Sequence, residues 1–150
     1  MRTRQKGFVL IAMSVAMLLM LAVLGLAFDF GRIYIARNEA QVFTDAAAMS
    51  AASKLDGTES GVVKARESVA RLPMHWNLGT QSFTGVAVEF SADGQRWELS
   101  PSQFAGLSYA RVTASDNKIG ITFLQAVGGP KSFTVPARSA ASSNPVRLIQ

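Results

Sequence analysis

An uninterrupted apolar segment lies near the start of the chain, and a mixed polar and apolar pattern follows it. The segment Phe8–Phe28 contains 21 residues and no charged side chain. As an α-helix, at a rise of 1.5 Å per residue, it extends about 31 Å, which is close to the thickness of the hydrocarbon core of a bilayer. The pattern predicts a membrane-spanning helix over residues 8–28.

The helical pattern continues beyond the apolar segment. From Asp29 to the Asp56-Gly57 pair there is no proline and helix-forming residues predominate, which predicts a juxtamembrane Ala-rich helix over 29–56. Mostly small residues recur on one face at steps of three and four: Ile33, Ala36, Ala40, Phe43, Ala47 and Ala51. Such a stripe allows another element to approach closely. It fits a helix of a partner subunit and the C-terminal domain of this chain equally well.

A second, shorter helix and a β-hairpin are predicted next. The amphipathic segment Val62–Leu72 ends before Pro73, as a helix would. Apolar and polar residues then alternate in two segments, 86–90 and 97–99, on either side of an Asp93-Gly94 turn. Alternation around such a turn is typical of a hairpin.

The C-terminal third predicts two further strands, over 109–114 and 131–137, and Pro136 places the second at a sheet edge. The segment 119–127 has features of both a strand and a short helix, and Gly128-Gly129-Pro130 ends it. The last ten residues are predicted to be loosely held. Aromatic residues are expected to supply much of the core: Phe83, Phe90, Trp97, Tyr109, Phe123 and Phe133.

The positive charge of the chain is concentrated before the apolar segment. The formal net charge is +5, and Arg2, Arg4 and Lys6 precede the segment, whereas the first acidic residue is Asp29. Without those three residues the chain has 12 basic and 10 acidic side chains, so its charge does not indicate binding to nucleic acid. By the positive-inside rule the N-terminus lies in the cytoplasm and the residues after Asp29 are exported.

Together these elements predict an α+β protein. A long N-terminal transmembrane helix is extended by the Ala-rich helix, and a second short helix and a small, mostly antiparallel sheet follow. The predicted boundaries are 1–7 for a basic cytoplasmic leader, 8–28 for the transmembrane helix, 29–56 for the juxtamembrane helix and 57–150 for an exported α+β domain.

Two other interpretations of the apolar segment stay open. A secretory signal peptide would be cleaved after Gly25-Leu26-Ala27, although the apolar region of such peptides usually has only about 7–15 residues. A buried helix of a soluble protein is the other interpretation, and the length and one-sided basic flank of the segment speak against it.

The residue inventory offers little for catalysis or metal binding. The chain has no cysteine and a single histidine, His75, which excludes thiol nucleophiles and cysteine zinc sites and leaves little for a Ser/His/Asp triad. The sequence has no phosphate-binding glycine loop, no His-Glu-x-x-His and no Gly-x-Ser-x-Gly motif. We therefore expect no enzyme activity, catalytic residue, metal, cofactor or small-molecule substrate.

The junction of the basic leader and the apolar segment reads Lys6-Gly7-Phe8. It resembles the processing site of type IV prepilin-like proteins, in which cleavage after the glycine leaves a methylatable phenylalanine at the start of the helix. The resemblance implies processing between Gly7 and Phe8. Pilins of this type usually carry glutamate at the fifth residue after the cut, where this chain has Ala12, so an uncut leader is the alternative.

The residues after the apolar segment resemble a known family. An Asp-x-Gly-Arg motif is followed by an arginine and then by a glutamine, an aspartate and a run of alanines: Asp29, Gly31, Arg32, Arg37, Asn38, Gln41, Asp45, Ala46, Ala47 and Ala48. Their order and spacing resemble the N-terminal segment of the TadE/TadG-like proteins of Tad (tight adherence), or Flp, pilus assembly. Longer members carry a von Willebrand type A domain, which this chain is too short to hold. The resemblance implies a short member with a pilin-like arrangement.

The resemblance and the small-residue stripe together define candidate residues for subunit interaction: Asp29, Gly31, Arg32, Ala36, Arg37, Ala40, Gln41, Phe43, Asp45, Ala47 and Ala51. Asp29 either pairs with Arg32, three residues on along the helix, or meets a cationic partner, since an unpaired carboxylate beside hydrocarbon is costly. Arg37 and Asp45 are about two helical turns apart, a spacing that allows pairing between neighbouring helices.

The resemblance implies a minor pilin-like or assembly component of a Tad/Flp, type IV-like pilus, held in the inner membrane by one span and acting by helix packing. The expected partners are the membrane, other Tad/Flp pilus subunits or assembly proteins, and further copies of this chain. A processed protein would enter an extracellular pilus, and an unprocessed one would stay as a membrane scaffold with its C-terminal domain in the periplasm or at the cell surface. The alternative is a secreted or anchored β-rich binding module without a pilus role.

Overall fold

The computed structural model describes residues 5–76, 81–126 and 128–143 of the 150-residue chain. A long helix, a short helix and small sheets follow one another, so the predicted α+β class is confirmed. In chain order the elements are α1 Gln5–Ala52, α2 Glu59–Ala70, β1 His75–Trp76, β2 Gln81–Ser82, β3 Val86–Ser91, β4 Tyr109–Ala114, β5 Lys118–Gly120, α3 Phe123–Ala126, β6 Ser132–Thr134 and β7 Ala137–Ser142.

The chain divides into two compact units. The first unit comprises Met1–Tyr34 and Ile119–Phe133, and it contains the apolar part of α1 together with α3. The second unit comprises Ile35–Lys118 and Thr134–Gln150, and it contains the rest of α1, the helix α2 and a three-stranded sheet.

Helix α1 runs for 48 residues and passes through Asp29 without a break, as the absence of proline predicted. It ends at Ala52, four residues before the Asp56-Gly57 pair. Beyond Ala52 the N–H groups of Lys54 and Leu55 each bond to a carbonyl three residues back, at 3.1 Å, which tightens the last turn. Gly57, with φ +78°, then reverses the chain in a conformation that favours glycine.

Helix α2 begins after a polar cap. The Thr58 hydroxyl accepts a hydrogen bond from the Gly61 N–H at 3.1 Å, and the Asp56 carboxylate accepts bonds from the hydroxyl and the N–H of Thr58. Those two bonds hold the pKa of Asp56 below its ordinary value. Because the cap lies at Thr58, α2 starts three residues and ends two residues earlier than the predicted 62–72 helix.

The sheet of the second unit is antiparallel, with the strand order β3-β4-β7. The predicted strand over 109–114 is confirmed as β4, the central strand. Ala110, Val112 and Ala114 of β4 are buried, and the alternate residues are half-buried. The buried face belongs to a core to which both helices contribute small and branched side chains: Ala40, Ala47, Ala51, Val62, Ala65 and Val69.

The predicted hairpin over 86–99 is wrong in its second strand. Residues 97–99 form no strand, and Phe90 and Glu98 exchange two backbone hydrogen bonds, at 2.9 and 3.0 Å, as an isolated bridge. Strand β3 pairs along its whole length with β4 instead. The Asp93 carboxylate accepts bonds from the backbone N–H groups two and three residues on, so the chain curls before a return strand can align.

The predicted strand over 131–137 is divided into β6 and β7, which lie on either side of Pro136. Proline has no N–H to donate to a ladder. Its neighbour Val135 bonds to Asn117 rather than to a strand. The Val135 N–H donates to the Asn117 carbonyl at 2.7 Å, and Asn117 Nδ2 donates to the Val135 carbonyl at 3.2 Å. Strand β7 then forms an edge of the three-stranded sheet.

The ambiguous segment 119–127 contains both element types, because β5 overlaps its start and α3 follows. The glycine turn after it is confirmed: Gly128 has φ +88°, and the Gly129 N–H bonds to the Leu124 carbonyl at 2.9 Å. The end predicted to be loose, residues 141–150, overlaps β7 at its start. Val127 and the residues from 144 onward lie outside the described residues.

The predicted aromatic core is correct for two of its six members. Phe83 and Phe90 are buried, whereas Trp97 and Tyr109 are half-buried. Phe123 and Phe133 are 45 % and 42 % exposed, so the core prediction is wrong for them. Both belong to the first unit, which has its own packing. The second unit instead buries Trp76, which stacks on Phe83 at 5.8 Å between ring centroids, and Phe83 stacks on Phe43 at 4.4 Å.

Candidate functional site

The apolar part of α1 is exposed along its length. Every residue from Gly7 to Leu24 is exposed. The helix is long and apolar enough to cross a membrane, with a mean hydropathy of 2.8 in its most apolar window and 6 % of that window buried. The interpretation as a buried helix of a soluble protein is therefore wrong for this fold. An apolar surface of this size needs lipid or other helices to cover it.

The predicted processing site lies in the first turns of α1. Phe8 is 75 % exposed, and a Cβ built on Gly7 would meet no atom within 4 Å. Both residues are thus exposed in the structure. Cleavage there stays a prediction.

The carboxylate of Asp29, at the end of the apolar segment, is 2 % exposed and is held by the backbone of a distant segment. Its Oδ1 accepts a hydrogen bond from the Thr122 N–H at 3.2 Å, and its Oδ2 accepts bonds from the N–H groups of Phe123 and Leu124, both at 2.7 Å. These N–H groups lie at the start of α3, where the first turn of a helix leaves donors unpaired. Asp29 therefore caps α3 and fastens it to α1 within the first unit.

A close packing contact accompanies the cap. The Phe123 ring lies over Gly25, where an added Cβ would come within 2.6 Å of two ring atoms. The ring also meets Phe28 edge to face, with 5.9 Å between centroids and an angle of 82°. Only glycine at position 25 leaves room for this approach, so Gly25, Phe28 and Asp29 form one docking face for α3.

Neither interpretation drawn from the sequence for Asp29 included this cap. Within the described residues Arg32 forms no ion pair with Asp29, and Arg32 is half-buried. The carboxylate accepts bonds from three backbone N–H groups of its own chain, and a cationic partner for Asp29 stays a prediction. Gly31, the other residue of the motif, is exposed, with no atom within 4 Å of an added Cβ.

The small-residue stripe is buried within the single chain. Five of its six members are between 0 and 7 % exposed: Ala36, Ala40, Phe43, Ala47 and Ala51. The sixth, Ile33, is half-buried. Of the two arrangements that the sequence left open, the stripe therefore packs inside this protein. These residues are already covered, and a partner helix would have to meet another face of α1.

Two polar candidates of the same helix contact the sheet. Gln41 Nε2 donates to Ser139 Oγ of β7 at 2.9 Å and to Asp45 Oδ1 at 3.0 Å. Ser139 Oγ in turn donates to the Asp45 carboxylate and lies 2.9 Å from the hydroxyl of Thr44, which is buried. Gln41 and Asp45 thus help to hold α1 against β7 in the second unit.

The exposed face of α1 in the second unit carries a row of large apolar side chains. Ile35, Val42 and Met49 follow one another at intervals of seven residues and are 54, 68 and 63 % exposed. Seven residues correspond to nearly two helical turns, so the three lie on one side of the helix. We call them the heptad row. Arg37 is exposed on the same stretch and makes no ion pair within the described part of the chain.

Val42 also borders a groove of about 290 Å³ in the second unit, which is lined in addition by Phe43, Leu72, Pro73 and Phe83. The groove is mainly apolar. Across residues 5–76, 81–126 and 128–143, no three His, Cys, Asp or Glu side chains come together in a way that would hold a metal ion. The chemistry that this surface offers is thus apolar contact.

Sequence reasoning missed the residues that complete these contacts. Gly25 reads as one more small residue of an apolar helix, and Ser139 as a polar residue of a strand. The backbone donors at Thr122, Phe123 and Leu124 carry no side-chain signal, because any residue has an N–H. They also lie 93 to 95 residues from Asp29 along the chain, beyond any local pattern.

Residues 7–54 match the family model described as "Putative Flp pilus-assembly TadE/G-like". The match covers about a third of the chain, and over that part it confirms the resemblance drawn from the motif residues. It includes Gly25, Asp29, the small-residue stripe and the heptad row. Neither the curated proteins nor the solved structures gave a match to this chain.

Proposed function

We propose that this protein, whose residues 7–54 form a TadE/G-like region, is a minor pilin-like or assembly component of a Tad/Flp pilus, anchored in the inner membrane by one span. The family match supports a pilus-related role. Within the residues that the structure describes, one helix near the N-terminus is long and apolar enough to cross a membrane, and it supports the anchor. The proposed role is binding, and turnover of a substrate by the purified protein would contradict it.

The charge distribution supports one orientation of the anchor. Arg2, Arg4 and Lys6 precede the apolar segment and no acidic residue lies before Asp29, so the N-terminus faces the cytoplasm in our proposal. The sheet and α2 are then exported. Because Asp29 and Gly25 are both engaged with α3, cleavage after Ala27, as in a secretory signal peptide, would remove Gly25 from a packed contact.

The mechanism that we propose is packing of α1 against an apolar helix of another Tad/Flp pilus subunit, with the heptad row as the contact face. Seven-residue spacing of exposed apolar side chains is the pattern by which two helices pack side by side.

The observation that carries this proposal is the division of α1 into two faces. The small-residue face is used inside the chain, whereas the heptad row is more than half exposed at each position. A subunit that packs laterally through α1 has this row available.

The first test is the intact mass and the N-terminal sequence of the protein isolated from membranes and from sheared surface filaments of the native host. A start at Phe8 in the filament fraction would identify a pilin-like subunit. An uncut N-terminus confined to membranes would identify an assembly scaffold. A start at Phe28 would contradict the anchor and favour the secreted β-rich binding module.

The second test addresses the contact face. A photo-crosslinking amino acid replaces Val42 in one strain and, as control, the exposed Lys64 of α2 in another. We expect adducts from position 42 whose peptides belong to a Tad/Flp pilus subunit or to a second copy of this chain. Equal adducts from position 64, or none from 42 in cells that assemble pili, would contradict the proposed face.

A further inference from the structure

The segment that contacts the last turn of the membrane span is itself apolar. Ile121 is buried and Leu124 is half-buried in it, whereas Phe123 keeps 45 % of its surface exposed although it contacts two residues of α1. The proposed function does not use this segment. The question is what covers the free side of the Phe123 ring in a membrane.

The depth of Phe123 follows from its contacts. Gly25 and Phe28, which the ring meets, are the fourth-last and the last residue of the apolar segment 8–28. They are about 4.5 Å apart along a helix axis. With this segment in the hydrocarbon core, a ring packed on its last turn lies at the boundary between acyl chains and headgroups.

The backbone of the segment suits that position. Unpaired N–H and C=O groups are costly near hydrocarbon. Here Asp29 accepts the N–H groups of Thr122, Phe123 and Leu124, and the turn after α3 is closed by Gly128 N–H to Gln125 O at 3.1 Å and by Gly129 N–H to Leu124 O at 2.9 Å. Three N–H groups at the start of α3 and two C=O groups near its end are therefore paired within the protein.

The charge of the segment is also compatible with a lipid surface. Ile119–Phe133 contains one lysine, Lys131, and no acidic side chain. A basic residue beside apolar side chains is the composition of segments that lie in the interface and meet anionic headgroups.

We propose that residues 121–126 form an interfacial anchor, in which Phe123 inserts into the lipid at the headgroup boundary and Asp29 is the positioning residue that holds the anchor against α1. The anchor rests on the proposed membrane span, since the span sets its depth. It gives the exported part of the chain a second attachment to the membrane. Lipid is the occupant of the free side of the ring.

The test is the accessibility of spin labels in the full-length protein, reconstituted alone in vesicles of phosphatidylethanolamine and phosphatidylglycerol. The chain has no cysteine, so single cysteines can be introduced and labelled without a background. Labels are placed at Gln125 in the anchor, at Ala16 in the span and at the exposed Ser102 in the second unit. For each spin label we compare the rate of collision with oxygen, which concentrates in lipid, and the rate of collision with a nickel chelate, which stays in water.

We expect the label at position 125 to favour oxygen over the nickel chelate, like that at 16 and unlike that at 102. Asp29→Ala, which removes all three acceptor bonds, and Gly25→Leu, which collides with the Phe123 ring, should each shift the label at 125 toward the aqueous value. Lipid values at 16 should persist in both variants. Using two variants with different physical effects guards against a folding defect in one of them.

Three outcomes would overturn the proposal. If the label at 16 is more accessible to oxygen and the label at 125 is more accessible to the nickel chelate, the anchor is rejected, while the membrane span and the proposed pilus role stay intact. Aqueous values at both positions would reject the span and with it the basis of the proposed function. A lipid-like value at 125 that disappears when the protein is diluted in lipid would show that a second copy, and not lipid, covers Phe123.

Discussion

Adjacent alanines on α1 allow a direct test of which face of the helix is inside. Ala47 is 0 % exposed and belongs to the buried stripe, whereas Ala46 beside it is exposed. Ala47→Leu and Ala46→Leu introduce the same side chain, in the same helix and with the same effect on helix propensity. Any difference between the two variants therefore reports packing alone.

The expected magnitude follows from the lack of space at Ala47. Leucine adds three carbon atoms, and forcing extra methylene groups into a close-packed core costs about 1–3 kcal/mol. At about 4–8 °C per kcal/mol for a unit of roughly one hundred residues, a cost of about 2 kcal/mol lowers Tm by about 8–16 °C. At Ala46 the added side chain stays on the surface, and the change should lie within about 0.5 kcal/mol.

The assay is thermal unfolding of the full-length protein in detergent micelles. Trp76 is buried and stacked on Phe83, so tryptophan fluorescence reports the loss of tertiary packing in the second unit. Equal Tm values for the two leucine variants would refute the assignment of the stripe to the core. A lower Tm for Ala46→Leu than for Ala47→Leu would show that the two faces are interchanged.

Three further predictions concern the second unit. Asn117→Ala removes three side-chain hydrogen bonds, to Thr84 N–H, Ala114 O and Val135 O. At about 1 kcal/mol for each bond, the variant should lose about 3 kcal/mol of stability in the same assay. Asn38→Ala, at an exposed position, is the control, and equal stability of the two variants would contradict the role of Asn117. Phe90→Ala, at a fully buried site beneath the Arg66 guanidinium, should cost about 3–5 kcal/mol by chemical denaturation, and a cost under 1 kcal/mol would contradict its place in the core. The pKa of Asp93 is lowered from 3.8 to about 2 by hydrogen bonds from the backbone N–H groups of Arg96 and Gln95 and from the Ser91 hydroxyl. The stabilising contribution of this carboxylate is therefore full above about pH 4 and is lost as the pH falls through about 2. In the Asp93→Asn variant the Tm should depend less on pH over that range, and parallel Tm curves for the variant and the original protein would contradict this.

The elements that the sequence predicted well are those fixed by neighbouring residues. The continuation of α1 through Asp29 follows from an unbroken run of helix formers, and β4 follows from strict alternation over six residues. The turns at Gly57 and Gly128 follow from the residue type that adopts positive φ. Each of these signals lies within a few positions of the structure that it specifies.

The contacts between distant segments could not be predicted in this way. The alternation in 86–90 shows that a strand forms but not which strand it pairs with, and the nearby 97–99 segment was the wrong choice because Asp93 bends the chain. The burial of the small-residue stripe was likewise undecidable, since small residues suit an intramolecular neighbour and a partner helix equally. The position of Phe123 is set by its contact with Gly25, which is 98 residues away in the sequence, so no local pattern predicted it.

The contacts of α1 within the chain and the proposed partner contact involve different faces of one helix. Residues 7–54 carry the match, and within them Asp29, Gln41, Asp45 and the alanine stripe are engaged with segments of the same chain that lie outside the matched region. Those residues therefore act in folding first, and we expect their substitution to lower stability. A substitution in the heptad row, such as Val42→Ser, removes an exposed side chain and should leave Tm unchanged while it weakens partner binding. A Val42→Ser variant that lost stability and partner binding together would show that the row belongs to the fold.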